Sequence, residues 1–394
     1  MERVDLLVEK YKETVLEHYR WLHQHPELSG QEKESAAYIS AELRKIGLEP
    51  TENVGGYGVT AVIEGKGEGK CVGLRADFDA LPIQETTGLP YASLNPGVMH
   101  ACGHDAHAAM LLGAAYVLTE MKDEFSGRVK LLFQPSEENS ADSGSKRMIA
   151  DGALENPKVD AVIGQHVGCG RGVGNVSSKP GTMSAFSDSF KIIIDGTACH
   201  ASSPHKGVDA LLIGAQIVTA LQSIVARNVA PLKSAVITVG KMTAGDRYNV
   251  LAGRCEIHGT CRNHDPAVRD MCEKRIESIS KGIAEGMGAS CTVNYIRGYS
   301  PVINNEEMYQ LFKETAGELL GADHVHLIES ASLGGEDFSF FAEQVPGIFF
   351  HLGCRFPDEK PAPAHNEKFK PNPDGFVDGQ RVMITTALNY LAKN

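Results

Sequence analysis

The feature that most constrains this chain is a series of short apolar segments that run into polar residues. "YGVTAVIEG" (57–65), "KCVGLRAD" (70–77), "GRVKLLFQPSEE" (127–138) and "DAVIGQHV" (160–167) read as buried strands. Helical patterns separate or flank them: an amphipathic stretch over 2–22, "SAAYISAELRKIGL" (35–48) ended by Gly47, and the apolar "HAAMLLGAAYVLTEM" (107–121). Such alternation predicts an α/β fold, a mostly parallel sheet covered by helices. Ligands in these sheets gather beyond the carboxyl ends of the strands.

A different rhythm begins near Ser184. "DSFKIIIDG" is a strand, "GVDALLIGAQIVTALQSIVARNV" a long apolar helix, and "SAVITVGKMT" and "AGRCEIHGTCR" two more strands. A helix opening at Pro266 and a last strand, "SCTVNYIRG", follow. The order β-α-β-β-α-β is the ferredoxin-like pattern. The chain of 394 residues is therefore expected to hold a discontinuous domain, 1–182 and 298–394, with an inserted α+β domain over 183–297.

A formal net charge of −12 argues against nucleic acid as the main partner, because phosphate binding needs clustered Lys and Arg. The N-terminus lacks the apolar core and small-residue cleavage site of a signal peptide. No window is expected to approach the roughly 18 apolar residues of a membrane span. Nine scattered cysteines form no disulfide framework, so a reducing cytoplasm is the expected setting.

Polar clusters then fall at the predicted strand ends. "RADFDALP" carries Asp77 and Asp79, "MHACGHDAH" (99–107) follows, "QPSEENS" carries Glu137 and Glu138, "GQHVG" carries His166 and "KPAPAHNEKF" carries His365. Cys102 and His104 can face one metal if Gly103 turns the backbone between them. Alternatively the stretch is a polar surface loop, or Cys102 is a nucleophile with His104 or His107 as its base. His107 falls one turn into the predicted helix and, with His100 and Asp105, reads as support. Glu137 and Glu138, adjacent on extended chain, are expected to project to opposite sides, one toward metal and one toward substrate. One Cys, three His and one Glu suffice for two ions sharing a bridge, a known hydrolytic device. In the insert, "GTACHASSPHKGVD" places His200 and His205 around a Ser-rich turn. That turn reads either as helix capping by its Ser and Asp residues, with exposed histidines, or as a site for an electrophilic histidine. Asn249 and Arg262 form a candidate clamp for a substrate carboxylate, although Arg262 could equally pair with a structural acid.

Taken together and in order, "HPELSGQE", "RADFDALPI", "MHACGHDAH", "FQPSEE", "GQHV", "CHASSPH", "NVLAGRCEIHGTCR", "GGEDFSFF" and "APAHNEKF" resemble the aminoacylase/carboxypeptidase family of co-catalytic metallo-amidohydrolases. The likeness is to the branch with hippurate hydrolases, N-acyl-amino-acid deacetylases, aminobenzoyl-glutamate hydrolases and indoleacetyl-amino-acid hydrolases. It implies two divalent ions, zinc or manganese with cobalt or nickel as alternatives, held by Cys102, His104, Glu138, His166 and His365. Cys102 would be the bridge, Glu137 the general base and Asp79 the orienter of a ligand. His200 would steady the oxyanion, in many relatives from a partner subunit, and Asn249 and Arg262 would face the substrate. The implied reaction is hydrolysis of an N-acyl amino acid or similar small amide, in a homodimer or tetramer whose inserted domain serves as lid and dimerisation element. Distant relatives have His-x-Asp where this chain has Asp77-Phe78-Asp79, so Asp77 is not carried over as a ligand. A relative that binds metal or peptide without turnover is the non-enzymatic alternative.

Overall fold

In the computed structural model, which describes residues 2–394, the strands form an eight-stranded, a four-stranded and a two-stranded sheet, and period-two alternation sorts their side chains onto opposite faces. The strands are β1 (Thr51–Val54), β2 (Gly58–Glu64), β3 (Cys71–Asp77), β4 (Arg128–Gln134), β5 (Ala161–Gly172), β6 (Val176–Ser178), β7 (Gly181–Thr182), β8 (Phe186–Asp195), β9 (Ala235–Ala244), β10 (Arg254–Asn263), β11 (Ser290–Tyr299), β12 (Ile303–Asn304), β13 (Val325–Leu327) and β14 (Gly347–Arg355). The helices are α1 (Glu2–Lys10), α2 (Lys12–Gln24), α3 (Lys33–Lys45), α4 (His104–Glu120), α5 (Gly144–Ala150), α6 (Ala210–Asn228), α7 (Pro266–Gly286), α8 (Glu306–Leu320), α9 (Phe338–Gln344) and α10 (Phe376–Lys393).

By contacts the chain forms two units. One runs to Met183 and resumes over Val302–Ser330 and Asp337–Asn394; the other comprises Ser184–Pro301 and Ala331–Glu336. The first unit contains the eight-stranded sheet, ordered β1-β2-β4-β3-β5-β14-β6-β13. Its four central strands, β4, β3, β5 and β14, are mutually parallel. On β4, Val129, Leu131 and Phe133 enter one core while Leu132 enters the other. On β14, Ile348, Phe350 and Leu352 enter the first and Phe349 the second. Both faces are therefore covered, as a parallel sheet requires.

Helix α4 is buried almost all round, the state expected of a helix apolar on every side. Gly113 makes this possible, because a Cβ there would lie 2.4 Å from both Val15 of α2 and Gln380 of α10. The helix begins at His104, which places His107 one turn in as expected, and Gly103 turns before it in the left-handed region at φ 99°. The single helix expected over 2–22 is two. Tyr11 interrupts it, and its hydroxyl donates to Glu120 at 2.8 Å.

In the second unit β8–β11 form an antiparallel sheet ordered β11-β8-β10-β9, the ferredoxin-like arrangement expected from the sequence. Helices α6 and α7 start at aspartate caps, Asp209 and Asp265, whose carboxylates accept from the backbone N–H groups two and three residues on. Against expectation, α6 is long and apolar enough to cross a membrane by length and composition alone. Its apolar stripe, Ile213, Ile217, Leu221 and Ile224, is buried in this unit's core.

Candidate metal centre

The centre is assembled where β3 and β4 stop and β5 and β14 continue. The last β3–β5 partners are Arg75 and Gly164, whereas β5 and β14 still pair at His166 and His351. His166 thus stands mid-strand on β5 rather than at its end as expected, yet level with the loops that leave β3 and β4. Cys102 and His104 enter from the N-terminus of α4, and His365 from the loop after β14, at φ 65°.

Potential ligand atoms gather in triads whose members lie within 4.8 Å of one another. Cys102, His104 and His166 form one triad; Cys102, Glu138 and His365 form another. Cys102 belongs to both. The five residues singled out from the sequence are thus brought together. His365 Nε2 lies 3.1 Å from Glu138 Oε1, and Cys102 Sγ lies 3.4 Å from His166 Nε2.

Hydrogen bonds decide which nitrogen of each histidine is available. His104 Nδ1 faces the Asp79 carbonyl at 3.0 Å and Asp79 Oδ1 at 3.1 Å, while its Nε2 is buried without a hydrogen-bond partner. His166 Nδ1 donates to the Val167 carbonyl at 2.7 Å, which leaves Nε2 to the cluster. His107 has both nitrogens occupied, by Asp77 Oδ1 at 2.6 Å and the Val167 N–H at 2.8 Å. Both hydrogen bonds suit a supporting place, and Asp77, His104 and His107 form a further group of potential ligand atoms. Asp77 lies between His107 and Arg75, whose Nη1 is 2.9 Å from Asp77 Oδ2.

The adjacent acids depart from expectation. Glu137 Oε2 and Glu138 Oε1 approach the same atom, His104 Nε2, at 3.9 and 4.0 Å. The chain is not extended there: β4 ends at Gln134 and Ser136 turns at φ 55°. Buried Glu32 holds the turn, accepting from the Ser136 N–H at 2.8 Å. Asp79 ties the halves together, accepting from Ser29 Oγ at 2.6 Å and the Glu138 N–H at 2.9 Å.

The electrostatics suit a cation. Burial opposes a charge on His104, but Asp77, Cys102 and Asp79 outweigh it and raise its pKa well above the ordinary value. Burial pushes the Cys102 thiol up to about 12. A nucleophilic thiol needs the opposite shift. A buried imidazole nitrogen lacking a hydrogen bond, beside thiol, imidazole and carboxylate donors, fits a divalent ion accepting mixed ligands.

The remaining singled-out residues lie in the second unit. His200 is exposed, and its Nδ1 accepts from the Ser202 N–H at 3.1 Å and contacts Ser202 Oγ at 2.7 Å. An accepting Nδ1 puts the proton of the neutral ring on Nε2. Of the Ser and Asp residues expected to cap the helix, Asp209 caps α6. Asn249 Oδ1 is buried without a hydrogen-bond partner. The Arg262 side chain donates to Ser187 and Thr260, and among the described residues no ion pair to an acid is formed.

Sequence reasoning overlooked several charged supports. Asp337, within "GGEDFSFF", accepts from Arg75 Nη2 and Gln134 Nε2 at 2.8 Å and from Ser143 Oγ at 2.7 Å. His23 lies between Asp105 at 2.6 Å and Glu85 at 3.2 Å. Membership in long motifs was the only signal for Asp337, and nothing local marked His23. Burial opposes charge on His23, yet Asp105 and Glu85 outweigh it and hold its pKa at about 9. A pKa raised in the folded state stabilises fully below about 6.5 and loses that effect as pH rises through 9. The melting-temperature gap between the wild type and His23→Gln, both in chelator, should thus be wide at pH 6 and nearly closed at pH 10. A gap constant across that range would contradict the charged His23.

Comparison with known proteins follows the same lines. A model of peptidase family M20/M25/M40 matches residues 73–389. The N-acetyl-L-cysteine deacetylase of Bacillus subtilis (strain 168) is 42% identical over 335 residues, 85% of this chain and 79% of that protein. Thermostable carboxypeptidase 2 of Saccharolobus solfataricus is 37% identical over 399 residues, 98% of this chain and 100% of its own length. The crystal structure of the Bacillus subtilis YXEP protein, described as a dinuclear metal binding peptidase from the M20 family, matches with a TM-score of 0.81 and 30% identity, covering 98% of this chain and 100% of that one. The family match spans most of the chain, including the strands and loops that carry every residue of both triads, so the chain belongs to peptidase family M20/M25/M40.

Proposed function

We propose that this chain is a metal-dependent amidohydrolase that cleaves the amide bond of N-acyl amino acids or similar small N-acyl and peptide substrates. The observation that carries the reading is the pair of triads sharing Cys102 around the unpartnered His104 Nε2. The names of the deacetylase and carboxypeptidase relatives support the substrate class.

Cys102, His104, Glu138, His166 and His365 would hold two divalent ions, zinc or manganese, with Cys102 shared between them. Bound ions of this kind polarise a carbonyl and lower the pKa of a water. Glu137 takes the proton from the attacking water at a carboxylate oxygen and returns it to the leaving amine. Asp79 orients His104 through Nδ1 and fixes the Glu138 backbone. His200, with its proton on Nε2, donates to the oxygen that gains charge. Arg262, without an ion pair among the described residues, and Asn249, with an open acceptor, receive the substrate's carboxylate and amide groups.

The reading includes a homodimer. Edge strand β9 leaves one side unpaired and exposes Val236 and Met242, while α6 exposes Leu211 and Leu212. An open edge beside apolar side chains favours pairing with a second copy. Nine free thiols support a reducing cytoplasm as its compartment.

The test is a hydrolysis screen across N-acyl amino acids and dipeptides, with zinc, manganese, cobalt and nickel in parallel and a metal-free arm. Turnover of acyl amino acids with metal, none without it, and a dimer by sedimentation are the expected results. Full activity in the metal-free arm would instead favour a cysteine hydrolase. A metal-loaded chain inert on the whole panel would favour a binding protein.

A further inference from the structure

Val167 is gripped by histidines on both sides. Its N–H donates to His107 Nε2 at 2.8 Å, and its carbonyl accepts from His166 Nδ1 at 2.7 Å. The topology explains the first bond. Beyond the Arg75–Gly164 pair, β5 has lost its β3 neighbour, so a backbone donor on that side needs another acceptor. His107, reaching over from α4, supplies it.

That bond fixes the ring's protonation. Since Nε2 accepts, the proton of His107 sits on Nδ1 and is donated to Asp77 Oδ1 at 2.6 Å. Asp77 is secured in turn by Arg75 at 2.9 Å, and Arg75, Asp77 and His107 are all buried. On the other side, the bond to the Val167 carbonyl places the His166 proton on Nδ1. The Nε2 lone pair is thereby left 3.4 Å from Cys102 Sγ.

We propose that His107 is a positioning residue for the metal centre. It sets the pose of Val167, and Val167 sets the tautomer and aim of His166. The relay runs Arg75, Asp77, His107, Val167, His166, and it gives Asp77 a role as the anchor of the line rather than as a ligand. This proposal rests on the two-metal reading above.

Three variants separate this role from ordinary core packing. His107→Gln puts an amide oxygen near the depth of Nε2 and keeps an acceptor for Val167. His107→Asn reaches only the depth of Nδ1, so it can meet Asp77 but not Val167. His107→Ala meets neither. The measurements are zinc stoichiometry and affinity, by competition with a chromophoric chelator, and thermal unfolding in the metal-free state.

We expect the wild type and the Gln variant to take up two zinc ions per chain. The Asn and Ala variants should bind the weaker ion about 10–100-fold less tightly. A purely structural role would make affinity follow metal-free stability, with no split between Gln and Asn. Should the Ala variant fail to fold, the Gln–Asn comparison decides alone. An Asn variant with wild-type affinity for both ions, or equal losses in Gln and Asn, overturns the relay while the two-metal reading stands. A wild type that binds no zinc overturns both.

Discussion

Glu137→Gln should keep both metal ions and lose turnover by roughly 10²–10⁴-fold, the range for removal of a positioned general base. Glutamine preserves the shape and one acceptor oxygen but cannot take up a proton at that position. Glu137 is buried, and its Oε2 is 3.9 Å from His104 Nε2. It belongs to neither Cys102 triad, whereas Glu138 shares one with Cys102 and His365. Neutralising Glu137 therefore leaves both triads complete. Glu138→Gln is the contrasting variant and should release metal. The readouts are kcat on the best acyl amino acid and metal per chain. Glu137→Gln with activity within tenfold of wild type would mean the base lies elsewhere; loss of an ion would make Glu137 a ligand.

Gly103→Ala should disable the centre through the backbone. At φ 99°, Gly103 occupies the left-handed region, where a side chain costs about 1–2 kcal/mol. The added Cβ would also fall 2.3 Å from Val167 Cγ2 and 3.4 Å from Phe369. Overpacking of this kind costs about 1–3 kcal/mol more. Together they approach a sizeable part of the roughly 5–15 kcal/mol that holds a domain folded. Relief by moving the turn displaces Cys102 and His104; relief by moving Val167 displaces His166. Either way the expected outcome is a lower melting temperature, fewer than two ions per chain and activity down by roughly 10²-fold or more, about 3 kcal/mol of barrier. Gly97→Ala is the matched control, at φ 80° with nothing within 4 Å of its new Cβ. It should show the backbone strain alone and keep both ions. Similar metal loss in both variants would refute the steric account.

Much of the fold was legible because its signals are local. Apolar runs such as "KCVGLRAD" carry strand propensity in themselves, and the β-α-β-β-α-β order of the second unit needs only the sequence of patterns. The turn at Gly103 before helix α4 was legible too, but the packing of Val167 and Phe369 against it was not. The helix interruption at Tyr11, whose hydroxyl reaches Glu120, 109 residues away, was not legible.

For the site, the sequence alone determined which chemistry was present: one thiol, several imidazoles and paired carboxylates, in an order resembling a metallo-amidohydrolase family. Only the tertiary structure decided what each could do. His104, His107 and His166 look alike along the chain. They differ because Asp79 takes one nitrogen of the first, Asp77 and Val167 take both of the second, and Val167 takes one of the third. Glu137 and Glu138, expected to diverge, converge on His104 because Ser136 bends the chain against Glu32. The physical reason is the same in each case. Tautomer, charge and aim are set by short-range hydrogen bonds, and the partners come from segments that only the sheet brings together.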